Sequence, residues 1–229
     1  MSALADRVTA VRERIARAVA RAGRSPESVR LVAVAKRHPA DAVREAHALG
    51  LRVFGENYAQ ELVAKAAEVG PLAEIEWHMI GHLQTNKARL IVPVIGMVHT
   101  VDSSHVAAEL GKRAAKIGRT IGVLIEVNVA NDPSKTGCAP DELAQIIEAV
   151  RGAESLVLRG LMTMPPYSDD AEASRPFFAR LRELQARNGG PGALPELSMG
   201  MSHDLETAIT EGATIVRVGT AIFGEREVR

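Results

Sequence analysis

The sequence predicts an α/β protein: a single (β/α)8 TIM barrel with an extra N-terminal helix and no C-terminal β-domain. Three observations carry this. Short apolar runs alternate with helical patterns along the whole chain, which implies a parallel sheet with right-handed crossovers. Eight such runs can be counted, and eight β-α units close most naturally into a barrel. No Gly-rich phosphate fingerprint follows the first run, which disfavours the alternative of an open, doubly wound sheet with fewer strands.

The first element is an amphipathic helix over 2–24, where Leu4, Val8, Val11, Ile15 and Val19 recur at spacings of three and four ahead of Gly23. The barrel then occupies about 29–224 of one domain spanning 1–229. Its first strand is VRLVAVAK (29–36), rich in valine and too short for a helix. PADAVREAHALG opens with Pro39 and closes with Gly50, as helices often do. Further strands are expected at 52–57, 76–81, 97–102, 121–129, 156–164, 195–202 and 214–224. Helices are expected at 58–69, 104–117, 140–151, 171–187 and 203–211, with a short one in NKARLIVPVI disturbed by Pro93. Pro140 and Asp141 open the helix at 140–151. NGGPGALP (188–195) reads as a flexible loop, and no linker divides the chain.

With 28 basic and 28 acidic residues the net charge is zero, so no field attracts nucleic acid. The one cysteine, Cys138, allows no intramolecular disulfide, which fits a reducing compartment. The charged N-terminus lacks the apolar core of a signal peptide, and no stretch approaches the roughly 20 apolar residues of a membrane span. A cytoplasmic protein without a membrane partner is expected.

Chemistry in such a barrel belongs at the carboxyl ends of the strands. Lys36 ends the first strand on the same face as Val32 and Val34. Inside the barrel mouth its ammonium form is disfavoured by burial, and a neutral amine is a nucleophile towards carbonyls. An isolated lysine would instead snorkel outward. Arg217 lies among Ile215, Val216 and Val218 and cannot lose its proton, so it needs an acceptor, either a structural carboxylate or a bound ligand. Gly219 and Thr220 follow it, and Ser202 precedes a helix expected near His203. These loops after the last two strands commonly hold phosphate. The residues alone therefore suggest a carbonyl-reactive lysine opposite a phosphate cradle.

Metal and triad chemistry find less support. His78 and His82 are four apart on a strand, about 13 Å between α-carbons, too far to share a zinc ion. His78 reads as a core hydrogen-bonding residue, and His82 as a residue of the mouth with no assigned role. No G-x-S-x-G is present, and Ser202 or Asp204 in GMSHD reads as a helix cap. Lys135, in the turn NDPSKTG, either reaches the mouth or is a solvated loop lysine.

The stretches AVAK, FGENY, WHMIGHLQTNK, NDPSKTG, LRGLMTM, LSMGMSHDLETAI and VRVGTAIFGER, in this order over about 29–226, resemble the pyridoxal phosphate homeostasis protein family. That family is related to the N-terminal barrel domain of alanine racemase. The resemblance implies pyridoxal 5′-phosphate (PLP) held as a covalent imine on Lys36. It also implies that Ser202, Gly219 and Thr220 hold the phosphate, Arg217 faces the pyridine nitrogen, Asn57 sits near the ring hydroxyl and Met199 lines the pocket. Lys135 falls where the family also has a lysine, which suggests a part in cofactor transfer. His82 stays outside the implied site.

Two functional classes follow: a non-catalytic PLP carrier serving intracellular PLP homeostasis, or a racemase-like amino-acid enzyme. Racemisation needs acid/base groups on both faces of the substrate carbon. In alanine racemase, the resemblance implies, one of them is a tyrosine from a further β-domain, and neither Tyr58 nor Tyr167 matches it. An arginine at the pyridine nitrogen, in place of an acid, also leaves a shallow electron sink. The carrier is therefore expected, as a monomer that exposes the cofactor to recipients such as apo-PLP enzymes. A sugar-phosphate lyase would use a similar lysine but also needs an acid/base beside it.

Overall fold

The structure, a computed structural model, describes residues 2–225. Arg226, the last residue of VRVGTAIFGER, lies outside them. Eight parallel strands form one closed barrel in chain order. They are β1 (Arg30–Val34), β2 (Val53–Glu56), β3 (Glu76–Met79), β4 (Met97–Val101), β5 (Ile121–Glu126), β6 (Leu156–Met162), β7 (Glu196–Ser198) and β8 (Ile215–Val218). Closure is made by β8 against β1, with Val32 opposite Arg217 and Ala33 opposite Val218.

Alternation sorts the side chains into two layers. Val32, Val53, Met97, Leu124, Met162 and Ile215 pack together inside the barrel. Their neighbours Ala33, Phe54, Val98, Val123, Val216 and Val218 face outward into the larger core beneath the helices. Those helices are α1 (Ala3–Arg21), α2 (Ala40–Ala48), α3 (Ala59–Val69), α4 (Ala88–Ile91), α5 (Ser104–Lys116), α6 (Leu143–Arg151), α7 (Arg175–Arg187), α8 (Gly190–Ala193), α9 (Leu205–Thr210) and α10 (Thr220–Phe223).

Most expected elements are present, and their ends differ for local reasons. The stretch 214–224 is not one strand, because the ladder stops at Val218 and the chain turns at Gly219 into α10. The helix expected from 203 begins at Leu205, since Asp204 folds back to accept from the Met201 N–H at 2.7 Å. The helix expected from Pro140 begins at Leu143, and NGGPGALP contains the single turn α8. Strand 29–36 stops at Val34, so Lys36 lies in a turn just past its end.

Among the described residues β8 is followed by the one-turn α10, which leaves the place of an eighth helix open. The N-terminal helix fills it. α1 packs on α9, α10 and α2, burying Leu4, Val8, Val11, Ile15 and Val19. Arginines within it and just past it stitch it to α10 and the end of α9. Arg7 Nε donates to the Ile222 carbonyl at 2.7 Å, and Arg24 Nη1 donates to those of Ile209 and Ala213 at 3.0 and 2.8 Å. The charge that made the N-terminus unlike a signal peptide therefore has a structural use.

Candidate functional site

A cleft of about 720 Å³ opens at the carboxyl ends of the strands. It brings together Lys36, Asn57, Ser202, Arg217, Gly219 and Thr220, with Lys135 and His82 also on its walls.

Lys36 owes its position to a tight turn. The Ala35 N–H donates to the Gly55 carbonyl at 3.1 Å, and the Ala35 carbonyl accepts from the His38 N–H at 3.0 Å. Arg37 adopts φ +62°, and its N–H donates to Glu61 Oε1 at 2.5 Å. Lys65 locks this turn from below. Its buried ammonium donates to the Ala35 carbonyl at 2.6 Å, to Glu56 Oε1 at 2.5 Å and to Glu61 Oε1 at 3.1 Å. Burial raises the Glu56 carboxyl to about 7, with Lys65 pulling the other way. Lys36 itself is half-buried on the cleft wall.

Two close approaches shape the mouth. A Cβ at Gly81 would lie 2.3 Å from the Asn57 carbonyl oxygen, so only glycine lets the end of β3 draw up beside Asn57. A Cβ at Gly219 would meet the Val34 carbonyl at 3.3 Å, where β8 closes on β1 next to Lys36.

The opposite wall holds the anion-binding types. Ser202 Oγ accepts from the Ala221 N–H at 3.2 Å, so its hydroxyl sits at the start of α10, not of α9 as expected. Arg14 holds this turn from α1. It donates to the Ser202 carbonyl at 2.9 Å and grips Glu206 with two bonds of 2.6 and 2.8 Å.

Arg217 is buried, yet it lines the cleft. Neither hydrogen bond it makes reaches the structural carboxylate that was one expectation. Nη1 donates to Ser198 Oγ at 2.7 Å and Nη2 to the Thr163 carbonyl at 3.1 Å. Burial lowers its guanidinium to about 10, opposed by Glu126 and Asp204, so it stays charged near neutrality.

Met199 is a correction. Its side chain is fully buried in the outer core and does not line the cleft. Ser198 points inward, so period-two alternation sends its successor outward. Met162, Met164 and Met201 line the cleft instead.

Reading the sequence also missed Glu126. It ends β5, lines the cleft and accepts from the Thr136 hydroxyl at 2.8 Å, while burial and Asp102 push its carboxyl upward. Its signal was a carboxylate inside the apolar run IGVLIEVNV. His82, left without a role, pairs with Asp102 at 3.3 Å. Lys65 was missed as well, although its spacing from Leu62 and Val69 puts it on the buried face of α3. Among the described residues no group of three or more side chains is arranged to hold a metal ion. No helix among them is long and apolar enough to cross a membrane.

An eight-stranded barrel with a lysine beyond β1 and an arginine on β8 defines a class. Residues 7–227 match the family described as alanine racemase, N-terminal domain. Alanine racemase of Clostridium difficile 630 has the same fold, with a TM-score of 0.70 at 16% identity over 94% of this chain and 56% of that one.

Nearer relatives narrow the class. The chain is 48% identical over 228 residues to the pyridoxal phosphate homeostasis protein of Pseudomonas aeruginosa, covering 99% of this chain and 97% of that protein. It is 42% identical over 233 residues to the mouse protein of the same name, covering 95% and 85%. PipY of Synechococcus elongatus, solved with PLP bound, superposes with a TM-score of 0.81 at 38% identity over 96% of this chain and all of that one (100%). The chain belongs to the pyridoxal phosphate homeostasis protein family.

Proposed function

We propose that the protein holds PLP as a covalent imine on Lys36 and serves PLP homeostasis without catalytic turnover. The supporting observation is the donor set around one cleft: an amine, a buried guanidinium, and Ser202 with Thr220 at the start of α10. Bound PLP would supply an aldehyde within reach of the Lys36 amine. The chain supplies the rest. Ser202, Gly219 and Thr220 hold the phosphate. Arg217 would keep its own proton and donate towards the pyridine nitrogen, and Asn57 would serve the ring hydroxyl. The PLP named in the PipY structure and the family's name support the ligand.

A carrier reading fits the tyrosines. Tyr58 is exposed, and Tyr167 stands on the cleft rim with its hydroxyl donating to Asp169 at 3.0 Å. A second reading, residual amino-acid chemistry, is favoured by Glu126 and His82, two acid/base side chains inside the cleft. Recipients such as apo-PLP enzymes, a monomeric state and a cytoplasmic setting complete the proposal.

The test is reduction of the PLP-loaded protein with borohydride, followed by peptide mass mapping. The adduct is expected on Lys36, and Lys36→Ala is expected to abolish it. An adduct on Lys135 in its place would overturn the assignment. Racemisation of alanine at enzyme-like rates would replace the carrier reading with the second one.

A further inference from the structure

Beneath Arg217 a file of polar side chains crosses the barrel. Arg217 Nη1 donates to Ser198 Oγ at 2.7 Å, and Ser198 Oγ lies 2.9 Å from His99 Nδ1. His99 Nε2 lies 2.9 Å from His78 Nδ1, and His78 Nε2 lies 2.9 Å from Glu76 Oε1. Ser198, His99 and His78 are wholly buried, whereas the Glu76 side chain is 40% exposed where β3 begins. The four bonds therefore join the cleft to the opposite end of the barrel.

Counting hydrogens sets their direction. The Ser198 hydroxyl accepts from Arg217 and has one hydrogen to give. His99 is neutral, because burial foremost, with the charges of Arg217 and Arg30 adding to it, holds its ring well below the usual imidazole range. If His99 carries its proton on Nε2, Ser198 donates to Nδ1, His99 donates to His78, and His78 donates to the Glu76 carboxylate. Every donor and acceptor in the file is then satisfied. If the proton sits on Nδ1, Ser198 receives two donors and its own hydrogen has no acceptor in the file. A buried donor left without an acceptor is disfavoured. The surroundings keep Glu76 an acceptor: the His78 hydrogen bond lowers its carboxyl, with Arg30 and Arg159 adding to this.

We propose that Ser198, His99, His78 and Glu76 are positioning residues for Arg217, joined in a one-way hydrogen-bonded file donated from the cleft to the far end of the barrel. The inference rests on the reading of Arg217 as the residue facing the pyridine nitrogen. The file fixes one edge of the guanidinium, and the Thr163 carbonyl fixes another. What remains of the fork of five N–H donors is aimed at the cleft without freedom to rotate. The guanidinium and the Glu76 carboxylate stand at the two ends of a chain whose bonds polarise one another.

The first test needs no cofactor. Nitrogen NMR of histidine-labelled, PLP-free full chain at about pH 8, above the ordinary imidazole range, should show His78 and His99 as neutral rings protonated on Nε2. A proton on Nδ1 of His99, or an imidazolium at either position, overturns the file. The second test uses the loaded protein. Ser198→Ala should shift the pH midpoint of its visible absorption by about one unit, and Ser198→Thr, which retains the hydroxyl, should restore it. An unmoved midpoint in Ser198→Ala overturns the positioning role. Loaded wild type without a visible band would instead sink the cofactor reading, and the histidine spectra would still decide the file.

Discussion

Across the cleft, the wall built by β7, β8 and α1 differs from the wall built by β2, β4 and β5 in what holds it still. On the first, the parts are backbone and small hydroxyls: Ser202, Gly219 and Thr220, clamped from behind by Arg14 and Arg7. The clamps reach across the whole sequence but stand outside the cleft. On the second, the parts are ionisable: Glu56 with Lys65 beneath Lys36, His82 with Asp102, and Glu126 on Thr136. A wall of fixed dipoles suits an anion whose charge never changes, such as a phosphate. A wall of titrating side chains suits a group whose protonation changes as a bond to it forms and breaks.

The sharpest way to break the second wall is Lys65→Met. Removing one partner of a buried ion pair strands the other, at a cost of about 3–5 kcal/mol. The loss should depend on pH. With its carboxyl already raised by burial, Glu56 can neutralise itself, and a group raised in the folded state loses its contribution as pH climbs through that value. Urea unfolding of the variant should therefore show a smaller deficit at about pH 6 than at about pH 8. Equal deficits would mean that Glu56 keeps one protonation state across this range, and the pH dependence would be refuted.

Breaking the first wall should have a milder effect. Arg14→Ala removes the Glu206 pair and the bond to the Ser202 carbonyl. Both partners are partly exposed, so screening limits the loss to about 1 kcal/mol of stability. The cradle loosens without losing a donor, and PLP dissociation measured by fluorescence should rise about threefold. Unchanged dissociation would show that α1 does not hold the cradle in place.

The smallest effect is at the far end of the barrel. The His78 hydrogen bond depresses the Glu76 carboxyl, so its contribution is complete above the unfolded value of ~4.3 and fades as pH falls through the lower folded one. Glu76→Gln should remove this part of acid sensitivity, making the loss of ellipticity on acidification shallower. An unchanged acid transition would show that Glu76 gains nothing from His78.

The same division governed what could be read from the sequence. That Lys36, Asn57, Ser202, Arg217, Gly219 and Thr220 meet in one cleft was legible because each stands at or shortly past a strand end, and a closed parallel barrel sends all strand ends to one mouth. Met199 failed where alternation across a short strand was overlooked. The ends of the helices after β5 and β7 failed because Pro140 and Ser202 resemble starts, whereas the decisive partner of the second, Asp204 reaching back to Met201, is set by the folded loop. Lys65, His99 and Glu126 were harder still. A buried polar residue acquires meaning from its partners, and those of Lys65 lie just past β1 and on β2, those of His99 on β3 and β7.

The first helix carries a last consequence. Arg7 meets Ile222 and Arg14 meets Ser202, so α1 finds its seat only once the chain from the end of β7 through α10 is in place. Contacts of such long sequence separation form late and slowly. A ribosome-bound fragment that stops short of β8 has an unclosed barrel and lacks the α10 on which α1 packs.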